Sequence, residues 1–82
     1  MAEASPVEVK YAKFWINERF ARPRKTMNRK ISSYGLKHLA ERQAGSYISN
    51  EALIQAMIES GFRAERIRDT PNYYFNVKLT EV

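Results

Sequence analysis

Cysteine is missing from this chain of 82 residues, and glycine, proline and histidine are scarce. Without cysteine the chain forms no disulfide and offers no thiolate to a metal, so packing alone must stabilise the fold. Three glycines and a single histidine exclude a glycine-rich phosphate loop and a histidine cluster for metal binding. No nucleophile stands in a pattern with a base. We therefore expect a protein that is not an enzyme and needs no cofactor or metal.

Long apolar runs are also missing. No stretch approaches the roughly 20 apolar residues that cross a membrane. The first six residues are polar and acidic, where a signal peptide would be basic and then apolar. We expect a cytoplasmic protein with no membrane partner. The length predicts one domain over residues 1–82, because a chain of this size buries only about two-thirds of its unfolded surface and cannot supply two cores.

Positive charge is abundant and concentrated in one part of the chain. Residues 19–42 contain eight basic residues and one acidic residue, Glu41. Within this region the sequence RPRKTMNRK, residues 22–30, has no acid and no apolar period, which predicts a basic connecting loop over residues 22–31. Such a loop is either a solvated connector or an arm that contacts phosphates. As an arm it would use Arg22, Arg24, Lys25, Arg29 and Lys30.

The N-terminal element is rich in aromatic residues and admits two interpretations. The sequence SPVE at residues 5–8 predicts a helix start, with Ser5 as N-cap and Glu8 closing a capping box. The alternation of apolar residues from 7 to 11 would instead suit a strand, and the helix is favoured. As a helix it has more apolar surface than one side can bury. The residues expected to contact a protein partner or a second copy are Tyr11, Phe14 and Trp15.

Two further helices are predicted after the loop. Capping residues and apolar spacing place them over residues 32–43 and 51–60, each followed by a glycine suited to a left-handed backbone. Between them Tyr47-Ile48 is predicted as a very short third strand. The second of these helices is expected to bury Leu53, Ile54, Met57 and Ile58.

The outer faces of both helices supply candidate contacts to nucleic acid. Lys37 is expected to pair with Glu41, one turn on, at the surface of the first helix. The basic surface of the loop would then continue through Lys37, His38 and Arg42. Asn50 and Gln55 of the second helix carry amides suited to base edges, although the carboxylates beside them would repel phosphates.

A β-hairpin is predicted at the C-terminal end. Apolar residues alternate from Tyr73 to Leu79, residues 69–72 (DTPN) have the composition of a turn, and residues 62–68 supply the other arm. The opposite face of the second strand, open to solvent or a partner, would hold Tyr74, Asn76 and Lys78. The candidates for backbone contact are Arg63, Arg66, Arg68 and Asn72. Alternatively, the arginines only protect an edge strand from aggregation.

These elements form an α+β fold, and residues 32–79 resemble a winged-helix or helix-turn-helix domain. The helices of that resemblance are KISSYGLKHLAERQ and NEALIQAMIESG, and RAERIRDTPNYYFNVKL is the wing. In the usual order two helices separate the small strand from the wing, so the N-terminal segment would have to supply the missing one. The size and style of the chain also resemble small proteins of phages and other mobile elements, which include transcriptional regulators and anti-CRISPR inhibitors.

Two functions are compatible with this pattern. The favoured one is a small regulator of a phage or mobile element that binds nucleic acid, double-stranded DNA in particular, through its basic loop and wing. The alternative is an inhibitor or adaptor of anti-CRISPR type that docks on an acidic protein surface of a host complex. A homodimer through the aromatic-rich first element is compatible with both. The favoured function requires the basic residues of the loop, the middle helix and the hairpin to meet on one side.

Overall fold

Three helices precede a short antiparallel hairpin in a computed structural model that describes residues 4–20 and 23–78. The helices are α1 (Pro6–Arg19), α2 (Ser33–Ala44) and α3 (Asn50–Glu59), and the strands are β1 (Ala64–Arg66) and β2 (Tyr73–Phe75). The predicted α+β fold class is therefore confirmed. Within the described ranges, no helix combines the length and the apolar character needed to cross a bilayer.

The N-terminal segment is helical, so residues 7–11 adopt the favoured conformation. Pro6 occupies the first turn, where its missing N–H has no helical partner to lose. The predicted capping box is wrong, because the Ser5 side chain makes no cap hydrogen bond. Oε1 of Glu8 instead accepts the backbone N–H of Ser49 at 2.8 Å, which ties the start of α1 to the start of α3.

The other helix ends follow the predictions more closely. The hydroxyls of Ser32 and Ser49 cap α2 and α3 by accepting the N–H of the residue three positions on, at 3.4 and 3.1 Å. Gly45 follows α2 with a φ of 68°, the left-handed conformation that a glycine adopts without strain. Residues 47–48 form no strand, contrary to the prediction. Ile48 is fully buried, which explains its apolar character without a sheet.

One residue of the basic loop, and not the predicted strand at residues 47–48, makes the third pairing of the sheet. β1 and β2 pair antiparallel, with Ala64 opposite Phe75. Asn28 forms an isolated antiparallel bridge to the same Phe75, and its N–H donates to Phe75 O at 2.9 Å. A residue in a sheet has one neighbour on each side, so Asn28 must lie on the edge of β2 that β1 leaves free. The lateral order is β1, β2, Asn28.

One hydrophobic core joins the three helices to β2. α1 packs mainly on α3, whose buried face includes two alanines, and these small side chains let the helices approach closely. The buried face of α3 is Ala52, Leu53, Ala56 and Met57. Ile58, predicted to be core, is 51% exposed. The shift of the buried face toward the alanines explains this error, since a hydropathy pattern assigns more weight to isoleucine than to alanine.

Met57 and Ile58 offer a direct test of how α3 is oriented. Met57→Ala should lower the free energy of unfolding by about 2–5 kcal/mol, because it opens a cavity in a fully buried position. Ile58→Ala removes a half-exposed side chain and should cost less than about 1 kcal/mol. Urea unfolding followed by circular dichroism measures both, and equal losses would contradict this orientation.

Candidate nucleic-acid interface

Hydrogen bonds fasten the loop before α2 to the C-terminal part of the hairpin. Arg24 N–H donates to Asn76 O at 2.7 Å, and Asn76 Nδ2 donates back to Arg24 O at 2.8 Å. Four residues on, Asn28 Nδ2 donates to Val77 O at 3.1 Å. The backbone of the loop is therefore held at two points, against β2 and against the residues that follow it. The described basic side chains of the loop remain exposed.

Asn76 takes part in two of these hydrogen bonds, and its side chain does not lie where the sequence predicts. Its position in the alternation predicts an outward side chain, yet Asn76 is 3% exposed. Its Oδ1 accepts the N–H of Arg63 at 2.7 Å, while its Nδ2 donates to Arg24 O. The amide thus joins the loop to the start of the hairpin. It is buried because the loop folds over it, a long-range event that alternation along one strand does not record.

Basic residues from distant parts of the sequence become neighbours as a result. An open groove of about 690 Å³ lies between the loop and the end of the hairpin, and Arg24, Arg29, Lys30 and Lys78 are among its lining residues. The side chain of Arg63 reaches across to the loop, where its Nη2 donates to Lys25 O at 2.9 Å. We call this set the loop–hairpin surface: Arg24, Lys25, Arg29, Lys30, Arg63 and Lys78.

One carboxylate lies within the loop–hairpin surface. Arg29 donates from Nε and Nη2 to the two oxygens of Glu65 at 2.8 and 2.7 Å, a bidentate pair. These hydrogen bonds hold the pKa of Glu65 below its ordinary value. Tyr74, opposite Glu65 in the register, is half-buried on the same face. Glu65 therefore orients the Arg29 guanidinium and neutralises part of its charge.

Lys37, a predicted phosphate contact, is not at the surface. It is 6% exposed, and its Nζ lies 3.2 Å from Oε2 of Glu41 and 4.7 Å from the ring centre of Tyr47. Glu41 also accepts the N–H of Ile48 at 3.1 Å. Burial raises the pKa of Glu41, but the hydrogen bonds from Ile48 and Lys37 outweigh it and the pKa lies below its ordinary value. The pair was predicted correctly, but it braces the junction of α2 and α3.

The two amides proposed to approach base edges are occupied within the fold. Asn50 Nδ2 donates to Asn72 Oδ1 at 3.0 Å and to Pro71 O at 3.3 Å, which holds the hairpin turn against the start of α3. Gln55 Nε2 donates to Glu59 at 2.8 Å. Glu59 in turn pairs with Lys13 of α1. The NH2 groups of both amides are thus engaged within the fold, and the outer face of α3 carries carboxylates that repel phosphate.

The other basic residues predicted to contact nucleic acid lie on α2 and on the hairpin. His38 and Arg42 are exposed on α2, and His38 Nδ1 lies 3.2 Å from Glu41. Arg66 and Arg68 are exposed on the hairpin, where Arg66 Nε donates to Thr70 O at 3.1 Å. No described contact joins these four to the loop–hairpin surface, so the expected meeting of the loop, the middle helix and the hairpin is limited to the loop and part of the hairpin. Arg22 and Leu79 lie outside the described residues.

Of the aromatic residues predicted to contact a protein, two are at the surface. Tyr11 and Phe14 are 44% and 69% exposed. Trp15 is 2% exposed and packs edge-on against Phe20 in the core, with ring centres 5.3 Å apart, so its prediction as a contact residue is wrong. Trp15 and Phe14 differ in exposure because Trp15 lies about 100° around the helix axis from Phe14.

Sequence reasoning missed three residues of the interface. Asn28 and Asn76 are single amides in segments whose pattern carries no sign of a long-range hydrogen bond. Lys78 was placed on the outer face of the strand but was not counted with the basic surface. Its positive charge, next to an apolar position at the end of a strand, was a sequence signal that could have placed it with the basic surface.

Comparison of the chain with protein-family models, with curated proteins and with solved structures finds no match. Among the described residues, no group of three or more His, Cys, Asp or Glu side chains is arranged to hold a metal ion.

Asn76→Ala should loosen the attachment of the loop to the hairpin at Arg24, while the hydrogen bonds of Asn28 remain. The substitution leaves Arg63 N–H and Arg24 O without their partner, at a cost of about 1–3 kcal/mol in unfolding free energy. Amide hydrogen exchange at Arg24 should accelerate as well. Asn17 is exposed on α1, so Asn17→Ala is the matched control and should change neither the unfolding free energy nor the exchange rate. Unchanged exchange in Asn76→Ala would contradict the attachment.

The lowered pKa of Glu41 predicts that the fold loses stability in acid. Because its pKa is lowered by folding, its contribution to stability is present above the ordinary pKa of glutamate and is lost as the pH falls through the folded value. Glu41→Gln should lower stability at neutral pH and flatten the decline toward acid. Denaturant unfolding at a series of pH values measures this. A stability of Glu41→Gln that declines toward acid as steeply as that of the native protein would contradict this role.

Proposed function

We propose that this protein is a small, non-enzymatic DNA-binding protein that contacts the phosphates of double-stranded DNA through the loop–hairpin surface. One observation carries the proposal. The loop packs beside β2, so that basic residues about fifty positions apart line a single open groove. Guanidinium and ammonium groups on one open surface suit a polyanion, and holding the backbone of the loop before binding reduces the entropy cost of association.

The order of elements supports the winged-helix part of the proposal. The short pairing at Asn28 lies before α2, and α2 and α3 then separate it from the hairpin. The usual winged-helix order likewise has two helices between the small strand and the wing, and α1 is the additional helix. The strand predicted at residues 47–48 would have broken that order. In this proposal β1, β2 and the turn between them are the wing.

The proposal assigns little sequence reading to α3. In helix-turn-helix proteins the second helix enters the major groove with donors directed at the bases. Here Glu51 is exposed on that helix, and Gln55 and Glu59 bond to each other. Carboxylates in this position would lie close to phosphates and oppose entry. Binding through the loop and wing alone is expected to depend more on salt than on base sequence.

The salt dependence of duplex binding tests the function. Fluorescence anisotropy with a labelled DNA duplex should show affinity falling steeply with salt, with a logarithmic slope of about 0.9 for each phosphate neutralised. Lys30→Ala should reduce both the affinity and the slope. Lys13→Ala removes the same charge from α1, away from the groove, and should change neither. Failure to bind any duplex at low salt, or equal effects of the two variants, would contradict the proposal.

Removal of Glu65 should strengthen binding. Glu65→Gln abolishes the ionic partner of Arg29 and one negative charge within the surface, so the freed guanidinium becomes available to phosphate. The affinity for duplex at low salt should rise several-fold. Glu51→Gln changes the net charge by the same amount outside the surface and serves as control. If both variants bind alike, only net charge matters and the local surface is not the binding site.

The alternative function, an inhibitor or adaptor that binds an acidic protein surface, would use the same basic residues. The exposed Tyr11 and Phe14 favour it, since aromatic residues are enriched where proteins meet. In this case Lys30→Ala and Phe14→Ala would both weaken capture of the acidic partner. The protein would show no salt-dependent affinity for duplex.

A further inference from the structure

α1 carries an apolar stripe that is open to solvent. Val7, Tyr11 and Phe14 are 58%, 44% and 69% exposed. Their spacing of four and then three residues places them on one face of the helix. Val9, Ala12 and Ile16, on the other side, are buried in the core. A helix that is apolar on both sides is suited to contact with another molecule on its free face.

The charged residues on this face have a self-complementary arrangement. Lys10 and Glu18 are exposed and lie four residues before and four residues after Phe14. Residues spaced by four form one continuous ridge along a helix, with Phe14 at its centre. A two-fold rotation near Phe14 brings the Lys10 end of one ridge to the Glu18 end of the other, and does so twice. A second copy of the chain therefore satisfies both charges at once.

We propose that two copies of this chain associate through α1, antiparallel, with Phe14 beside the two-fold axis and Lys10 of each copy paired with Glu18 of the other. Ridges of residues four apart lie alongside each other when helices cross at about −50°. In that arrangement Val7 and Tyr11 form the adjacent ridge and flank Phe14. The contact is isologous, so it closes as a dimer and does not propagate.

The size of the contact predicts a weak dimer. A helix of 14 residues is about 21 Å long, and one crossing of two such helices covers less than the roughly 800 Å² per partner of a typical stable interface. Apolar burial supplies the affinity, whereas the exposed ion pairs mainly select the orientation. The inference does not depend on nucleic-acid binding, and it is tested without DNA.

Sedimentation velocity over a range of protein concentrations tests the dimer. The native protein should pass from monomer toward dimer as the concentration reaches the submillimolar range. Phe14→Ala should abolish association without changing the thermal midpoint of the monomer, because the side chain is exposed. A native protein that remains monomeric throughout would overturn the proposal.

Charge reversal tests the antiparallel geometry. Lys10→Glu and Glu18→Lys each place like charges together and should weaken association on the order of tenfold. The double variant Lys10→Glu/Glu18→Lys should restore native association. An equimolar mixture of the two single variants should also associate, which provides a second measurement if the double variant folds poorly. Single reversals without effect, or losses that neither combination restores, would overturn the pairing.

Discussion

The basic surface depends on the hydrogen bonds that fasten the loop to the hairpin, which Asn28 and Asn76 share. Through the buried amide of Asn76, Arg24 of the loop and Arg63 at the start of the hairpin are bonded to one side chain. Without these contacts the loop would be a chain of like charges, which repel each other and favour extension. The neutral amide serves as both donor and acceptor, which no charged side chain of similar size does.

Some charges elsewhere in the molecule are paired within the fold. Lys37 and Glu41 brace the α2–α3 junction, and Lys13 and Glu59 connect α1 to α3. Within the loop–hairpin surface the described ion pair is Arg29 with Glu65, which leaves a positive excess there. The location of the excess, rather than the net charge of +5, supports the proposed function.

The sequence predicted the features that depend on neighbouring residues. The serine caps of α2 and α3, the left-handed glycine after α2 and the turn between the two strands are local chemistry and were found where expected, whereas the cap predicted at Ser5 was not. The features it missed depend on contacts between distant segments. Asn76 is buried by a loop that lies some fifty residues earlier in the chain. Lys37 is covered by a tyrosine of the connection that follows α2. The third pairing of the sheet lies at Asn28 because β2 has a free edge there. Periodicity describes one segment at a time and does not report such contacts.

The central claim is that the loop and the hairpin form one preorganised surface for phosphates. Titration of the isotopically labelled protein with a DNA duplex, followed by backbone amide chemical shifts, tests it most directly. The account predicts that the shifts concentrate at residues 24–30, Arg63 and Lys78, and that they shrink together as salt is added. Shifts concentrated on the outer face of α3, or an absence of shifts at low salt, would contradict it.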